Sequence, residues 1–125
     1  MGKNIAVDGC ELEDVTGGGT VEITGSASQY SFANGKGIFF GPIAVSVSGS
    51  NGGGGITDNN GAGTGTITGT GSSICEGGQP ALLEGDTATI QVTGTATSGS
   101  STVPVGPVPI TIRVKKAGQD KVIAL

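Results

Sequence analysis

Cys10 and Cys75, the pair Glu84 and Asp86, and the run Glu11, Glu13, Asp14 are the residues of this 125-residue chain whose types could do chemistry. No histidine is present. That excludes a Ser-His relay. It also leaves zinc only two thiols, where a site normally takes four Cys or His ligands. Glu84 and Asp86 stand two apart and on a strand would share a face, as paired carboxylates do. The dipeptide Gly85-Asp86 reads better as a turn in which the aspartate accepts nearby backbone amides. Glu11, Glu13 and Asp14 offer the oxygen ligands that calcium favours, and they equally describe a solvated acidic turn. The two thiols are expected to be buried, unpaired and inert, as in a chain made in a reducing compartment; a Cys10–Cys75 disulfide is the alternative. No nucleophile has a base and no metal cluster forms, so the expectation is no catalytic residue, no metal, no cofactor and no enzyme.

Composition narrows the rest. Six basic against ten acidic residues give a net charge of −4, which argues against nucleic acid as a partner, since phosphate contacts need a basic surface. The start is acidic (Asp8, Glu11, Glu13, Asp14, Glu22) and the end basic (Arg113, Lys115, Lys116, Lys121). Such polarity suits a protein seated by one end on a partner, and ordinary solvated faces produce it as well. Glycine accounts for 26 residues, without the strict triplet of collagen. Apolar residues make up 34% and many sit in alternating runs, which argues against disorder. Tyr30, Phe32, Phe39 and Phe40 are the only aromatics. A narrow core of Val, Ile, Ala and Leu, hence a slender molecule, fits that scarcity. Met1 to Cys10 lacks the apolar segment of a signal peptide, and no run reaches the roughly 18 apolar residues of a membrane helix. The chain is therefore expected to be made in the cytoplasm without a secretory signal.

The elements that must position these residues are strands. Thr20–Thr24, Ile43–Ser48, Thr66–Thr68, Thr89–Thr93 and Ile110–Val114 alternate with period two, the pattern of half-buried strands. They are rich in β-branched residues that suit a pleated surface. Glycines punctuate nearly every run. Residues 51–65 (NGGGGITDNNGAGTG) read as a flexible surface loop with almost nothing to bury; neither the Gly-Lys-Ser/Thr ending nor the helix of a phosphate loop is present. Residues 103–109 carry three prolines and read as an extended connector or a sheet edge. The basic tail from Lys115 follows.

The chain also resembles itself. With one gap, residues 21–50 align with 65–95. Ile23-Thr24-Gly25 falls on Ile67-Thr68-Gly69, Asn34-Gly35-Lys36 on Gly77-Gly78-Gln79, and Ile38-Phe39-Phe40 on Ala81-Leu82-Leu83. Val45, Val47 and Gly49 fall on Ile90, Val92 and Gly94. One all-β domain over residues 1–125, built from two stacked copies that cover each other's apolar faces, is the expected arrangement.

The second copy holds Ser72-Ser73 and then Gly77-Gly78-Gln79-Pro80-Ala81-Leu82-Leu83-Glu84-Gly85-Asp86. This resembles the repeat of the PAAR-type spike-tip proteins: a serine-rich turn, a glycine turn, a Pro-Ala strand and a closing Gly-Asp. The resemblance spans roughly residues 1–95 and is clear over 72–95. Its structural motif residues here are Gly77, Gly78, Pro80, Ala81, Gly85 and Asp86. The first copy lacks the Pro-Ala pair and the Asp. The arginine of the family's name is absent, with Leu83 in its place. Without histidine, the zinc site common at the family's apex cannot form. What the resemblance implies is a glycine-rich, pointed, cone-like tip. It would be a monomer when alone, seated as one copy on the three chains of a trimeric β-helical spike in a phage tail, type VI secretion apparatus or related contractile injection particle. It would pierce a target membrane in passing and could carry a cargo effector. The alternative from the residues alone is a decoration or fibre module of a virion or surface.

Overall fold

The computed structural model describes residues 2–124. Among them there is no helix. The all-β expectation is met: the main element is a nearly closed antiparallel sheet. The strands in chain order are β1 (Lys3–Asn4), β2 (Glu11–Asp14), β3 (Thr20–Ile23), β4 (Phe32–Ala33), β5 (Lys36–Gly37), β6 (Pro42–Ser50), β7 (Gly61–Thr68), β8 (Gly71–Glu76), β9 (Gln79–Ala81), β10 (Thr87–Ser98), β11 (Ser101–Lys116) and β12 (Ile123–Ala124). Six of them form the main sheet in the order β2-β11-β10-β7-β6-β3; β1–β12, β4–β5 and β8–β9 are small two-stranded pairs.

The alternation read from sequence places the core. Ile43, Val45 and Val47 on β6, Ile67 on β7, Ile90 and Val92 on β10, and Ile110, Ile112 and Val114 on β11 point inward and are buried. Their polar neighbours face out, as period two requires. Each such aliphatic side chain contributes about 1.5–3 kcal/mol on full burial. A second cluster, with Ile5, Val7, Ala33, Ile38, Ala81, Leu83 and Ala124, fills the end of the sheet where the small pairs lie.

The connectivity is that of one unit used three times. In the first unit β3 leads through the β4–β5 pair and residues 38–40 into β6, its antiparallel neighbour. In the second, β7 leads through β8–β9 and residues 81–83 into β10, also its neighbour. The third is closed by pairing rather than by continuous chain. β11 leads to β12, β12 pairs with β1, and residues 5–7 lead into β2, which pairs with β11. Registers agree across the three: Phe32 faces Gly37 just before Ile38, Cys75 faces Pro80 just before Ala81, and Ile123 faces Asn4 just before Ile5.

The three connecting segments close on one another. Ala6 N–H donates to Leu82 O (2.8 Å), Leu82 N–H to Phe39 O (2.9 Å), and Phe39 N–H to Ala6 O (3.3 Å). Around this ring run three matching bridges, Val7 to Ile38, Phe40 to Ala81 and Leu83 to Ile5. Three outer bonds repeat the relation: Gly41 N–H to Pro80 O, Glu84 N–H to Asn4 O and Asp8 N–H to Gly37 O. One end of the sheet thus has a pseudo-threefold axis.

The loop expectation needs correction, and of the two readings of the proline-bearing segment the structure shows the edge. Residues 51–65 are not one flexible loop, because Gly61–Gly65 is the first half of β7. The glycines there serve close packing: a Cβ on Gly63 would stand 2.0 Å from Gln91 O of β10. Ile56 is fully buried, and Asn51 O accepts both Gly54 N–H and Ile56 N–H, so the rest of the segment is a folded turn. The proline-bearing residues 103–109 lie within β11. They pair with β10 on one side, and β2 begins to pair with β11 only at Ile112. This half of β11 is therefore a sheet edge, where missing N–H donors cost nothing.

Candidate functional site

The family-motif residues sit together in the second unit, around the β8–β9 hairpin. Gly77 and Gly78 both carry positive φ (60° and 80°), as a type I′ two-residue turn demands. Asn34 and Gly35 do the same in the β4–β5 hairpin (53° and 77°). Pro80 and Ala81 form β9, with Ala81 wholly buried under the bond ring. Gly85 has φ 91°. Asp86 is buried and accepts Leu83 N–H (2.8 Å), Thr70 N–H (3.0 Å) and the Thr70 hydroxyl. Its carboxylate pins the chain entering β10 to the end of β7. Glu84 instead turns toward Ala117 N–H (3.3 Å). The two side chains are spent on different parts of the backbone and do not make a carboxylate pair.

The acidic run at the start of the chain is likewise occupied. Glu13 pairs with Arg113 and Glu11 with Lys116 (3.9 Å) across the β2–β11 ladder. Asp14 is buried and accepts the N–H groups of Thr16 (3.0 Å), Gly17 (2.7 Å) and Gly19 (3.0 Å), capping the turn into β3. Burial pushes its carboxyl up, but hydrogen bonds from Gly17, Ser50, Gly19 and Thr16 outweigh that and hold it below the ordinary aspartate value. Among the described residues no three His, Cys, Asp or Glu side chains converge as a metal site would need.

The cysteines are unpaired, as expected, but their burial differs: Cys75 is exposed, because β8 belongs to a small pair with an open outer face. Cys10 is half-buried; burial, then the charge of Asp8, push its thiol up to about 11.

What the structure brings together, and the family motif does not mark, is a set of equivalent positions around the pseudo-threefold axis. Phe32, Cys75 and Ile123 occupy the same place in their hairpins and all face solvent, Phe32 at 59% and Ile123 at 53% exposure. Tyr30, also exposed, lies two residues before Phe32. The hairpin end is braced from within. The Ser28 and Ser31 hydroxyls both donate to Glu76 (2.6 Å each), tying the first unit to the second, and these bonds hold the Glu76 carboxyl below its ordinary value. Gln119 Nε2 donates to Ile5 O and Val122 O (2.8 Å each), bracing the third. The sequence signal for this set was the register shared by the two aligned copies. The third member was hidden because its two strands lie at opposite ends of the chain. No family model, no curated protein and no solved structure matches the chain.

Proposed function

We propose that this chain is a structural spike-tip protein. It caps the trimeric central spike of a contractile injection machine, one copy on three chains, and transmits the driving force onto a small area of target membrane. The observation that carries the reading is the pseudo-threefold hairpin end. A single chain on the axis of a trimer meets three identical surfaces, and it can engage all of them only with three near-equivalent patches of its own. The three hairpins are such patches. Their exposed Phe32, Cys75 and Ile123 offer apolar contact, and their outer strand edges can extend the hydrogen bonding of the spike by strand addition.

The opposite end does not suit such a partner. There β10 and β11 run on past the rest of the sheet, pairing with each other from Gly94–Val105 to Ser98–Ser101. That extension joins the second unit to the third, has no equal at the other two junctions, and breaks the equivalence. The PAAR-like repeat of residues 72–95 supports the same reading. The tip would be carried outside the producing cell on the tail or particle.

The test is size-exclusion chromatography with light scattering on the purified chain, alone and mixed with the trimeric spike protein of its source. The expected results are a 12.0 kDa monomer and a complex of one chain per spike trimer. A stable homotrimer that ignores the spike would overturn the proposal and favour a decoration or fibre module.

A further inference from the structure

The main sheet fails to close at one place. β2 and β3 are consecutive strands joined by a short turn, and they lie at the two ends of the strand order. At the turn they touch, where Gly18 N–H donates to Asp14 O (3.2 Å). Beyond it no ladder joins them, and an open groove runs between the two edges.

Both lips present unused backbone. Val15 N–H donates to Thr111 O of β11, so by strand alternation the Leu12 N–H faces the groove. Thr24 N–H donates to Ala44 O of β6, so the Val21 and Ile23 N–H groups face it from the other side. The floor is apolar. Leu12, Val21 and Ile23 pack against the core cluster yet stay only partly buried, because nothing covers them through the gap.

The lips also carry like charges. Glu11 and Glu13 stand on one and Glu22 on the other, and like charges facing across a strand pair oppose pairing. The groove lining holds Asp8, Glu11, Glu13 and Glu22 against Lys36 and Lys115. Glu13 and, more loosely, Glu11 are already paired with Arg113 and Lys116 of β11, which among the described residues leaves Glu22 and Asp8 as its acids without an ion pair.

We propose that this seam is a strand-acceptor site for a short extended peptide segment of a protein partner, one that alternates apolar residues with Lys or Arg. The segment pairs with the free edges of β2 and β3, places its apolar side chains on Leu12, Val21 and Ile23, and sets a cation against Glu22. Main-chain bonds supply affinity and the alternating side chains supply selection, as in other strand additions. The groove runs down to the β4–β5 hairpin, with Phe32 and Lys36 in its lining, but peptide binding along β2 and β3 does not depend on the spike-tip reading.

The test uses fluorescein-labelled peptides about eight residues long: alternating Val-Lys, alternating Val-Glu, and a Val-Lys peptide interrupted by proline. Anisotropy is measured with the intact chain. The Val-Lys peptide is expected to bind. The proline-broken and Val-Glu peptides are each expected to bind at least about tenfold more weakly, and Glu22→Lys or Glu22→Gln to weaken the Val-Lys peptide severalfold. Hydrogen exchange is expected to show the Leu12 and Val21 amides unprotected in the free chain and protected on binding. Equal binding of the proline-broken peptide, no binding of any peptide, or full protection of those amides before peptide is added would each overturn the proposal.

Discussion

Asp86 shows how a residue that could have been catalytic is committed to holding the backbone. Its carboxylate accepts three hydrogen bonds and is buried. Replacing it by alanine strands the Leu83 and Thr70 donors, at about 1–3 kcal/mol for each group left buried and unpaired. Asp86→Ala is therefore expected to lose about 3 kcal/mol in urea unfolding, and Asp86→Asn, which keeps an acceptor, markedly less. Asp14 makes a pH-dependent contribution. Its folded pKa lies below the ordinary aspartate value, so its contribution is complete above about pH 4 and is lost as pH falls through the folded value. Thermal unfolding between about pH 7 and pH 2 should show Asp14→Asn less stable than the native chain at neutrality. The gap should narrow in acid, and a gap independent of pH would contradict this assignment.

At the scale of elements, glycine decides where strands can approach. Gly63 on β7 lies against the backbone of β10, with Gln91 O standing 2.0 Å from where a Cβ would be. A carbonyl cannot swing aside as a side-chain tip can. Gly63→Ala is expected to cost about 3 kcal/mol, at the upper end for overpacking, and to lower the melting temperature by several degrees. This contact also explains what the sequence did and did not disclose. The runs at Thr20–Thr24, Ile43–Ser48, Thr89–Thr93 and Ile110–Val114 were legible because β-branched residues alternate there, and each lies in or at the end of a strand. Gly61–Gly65 was not legible. Glycine in a strand interior carries no side-chain periodicity, and close packing looks like flexibility in composition. Cys75 was misread for a related reason, since its burial depended on a small pair whose outer face the sequence could not reveal. The hairpin turns Asn34-Gly35 and Gly77-Gly78 were visible in the aligned copies, because a type I′ turn calls for few residue types.

At the scale of the whole molecule, the missing third unit is the main lesson. Two aligned copies suggested duplication, and the topology has three units, the third assembled from β11, β12, β1 and β2. No local pattern signals a hairpin whose strands are about as far apart in sequence as the chain allows. The arrangement makes a direct prediction. A circular permutant that joins β12 to β1 by a short glycine-rich linker, and opens the chain between Gly77 and Gly78, moves the break from one equivalent turn to another. It is expected to fold with the same circular dichroism as the native chain; an unfolded or aggregated permutant would show that the three units are not interchangeable at their turns.

The central claim is that the pseudo-threefold hairpin end seats a trimeric spike. The most direct measurement is spike binding, read by native mass spectrometry, for Phe32→Asp/Ile123→Asp beside Val103→Asp, which alters an exposed apolar residue in the β10–β11 extension. Charge placed on two of three equivalent hairpins is expected to abolish the one-to-three complex while the chain stays folded, and the change at Val103 to leave it intact. Retention of the complex by the double variant, or its loss on changing Val103 alone, would contradict docking through the hairpin end.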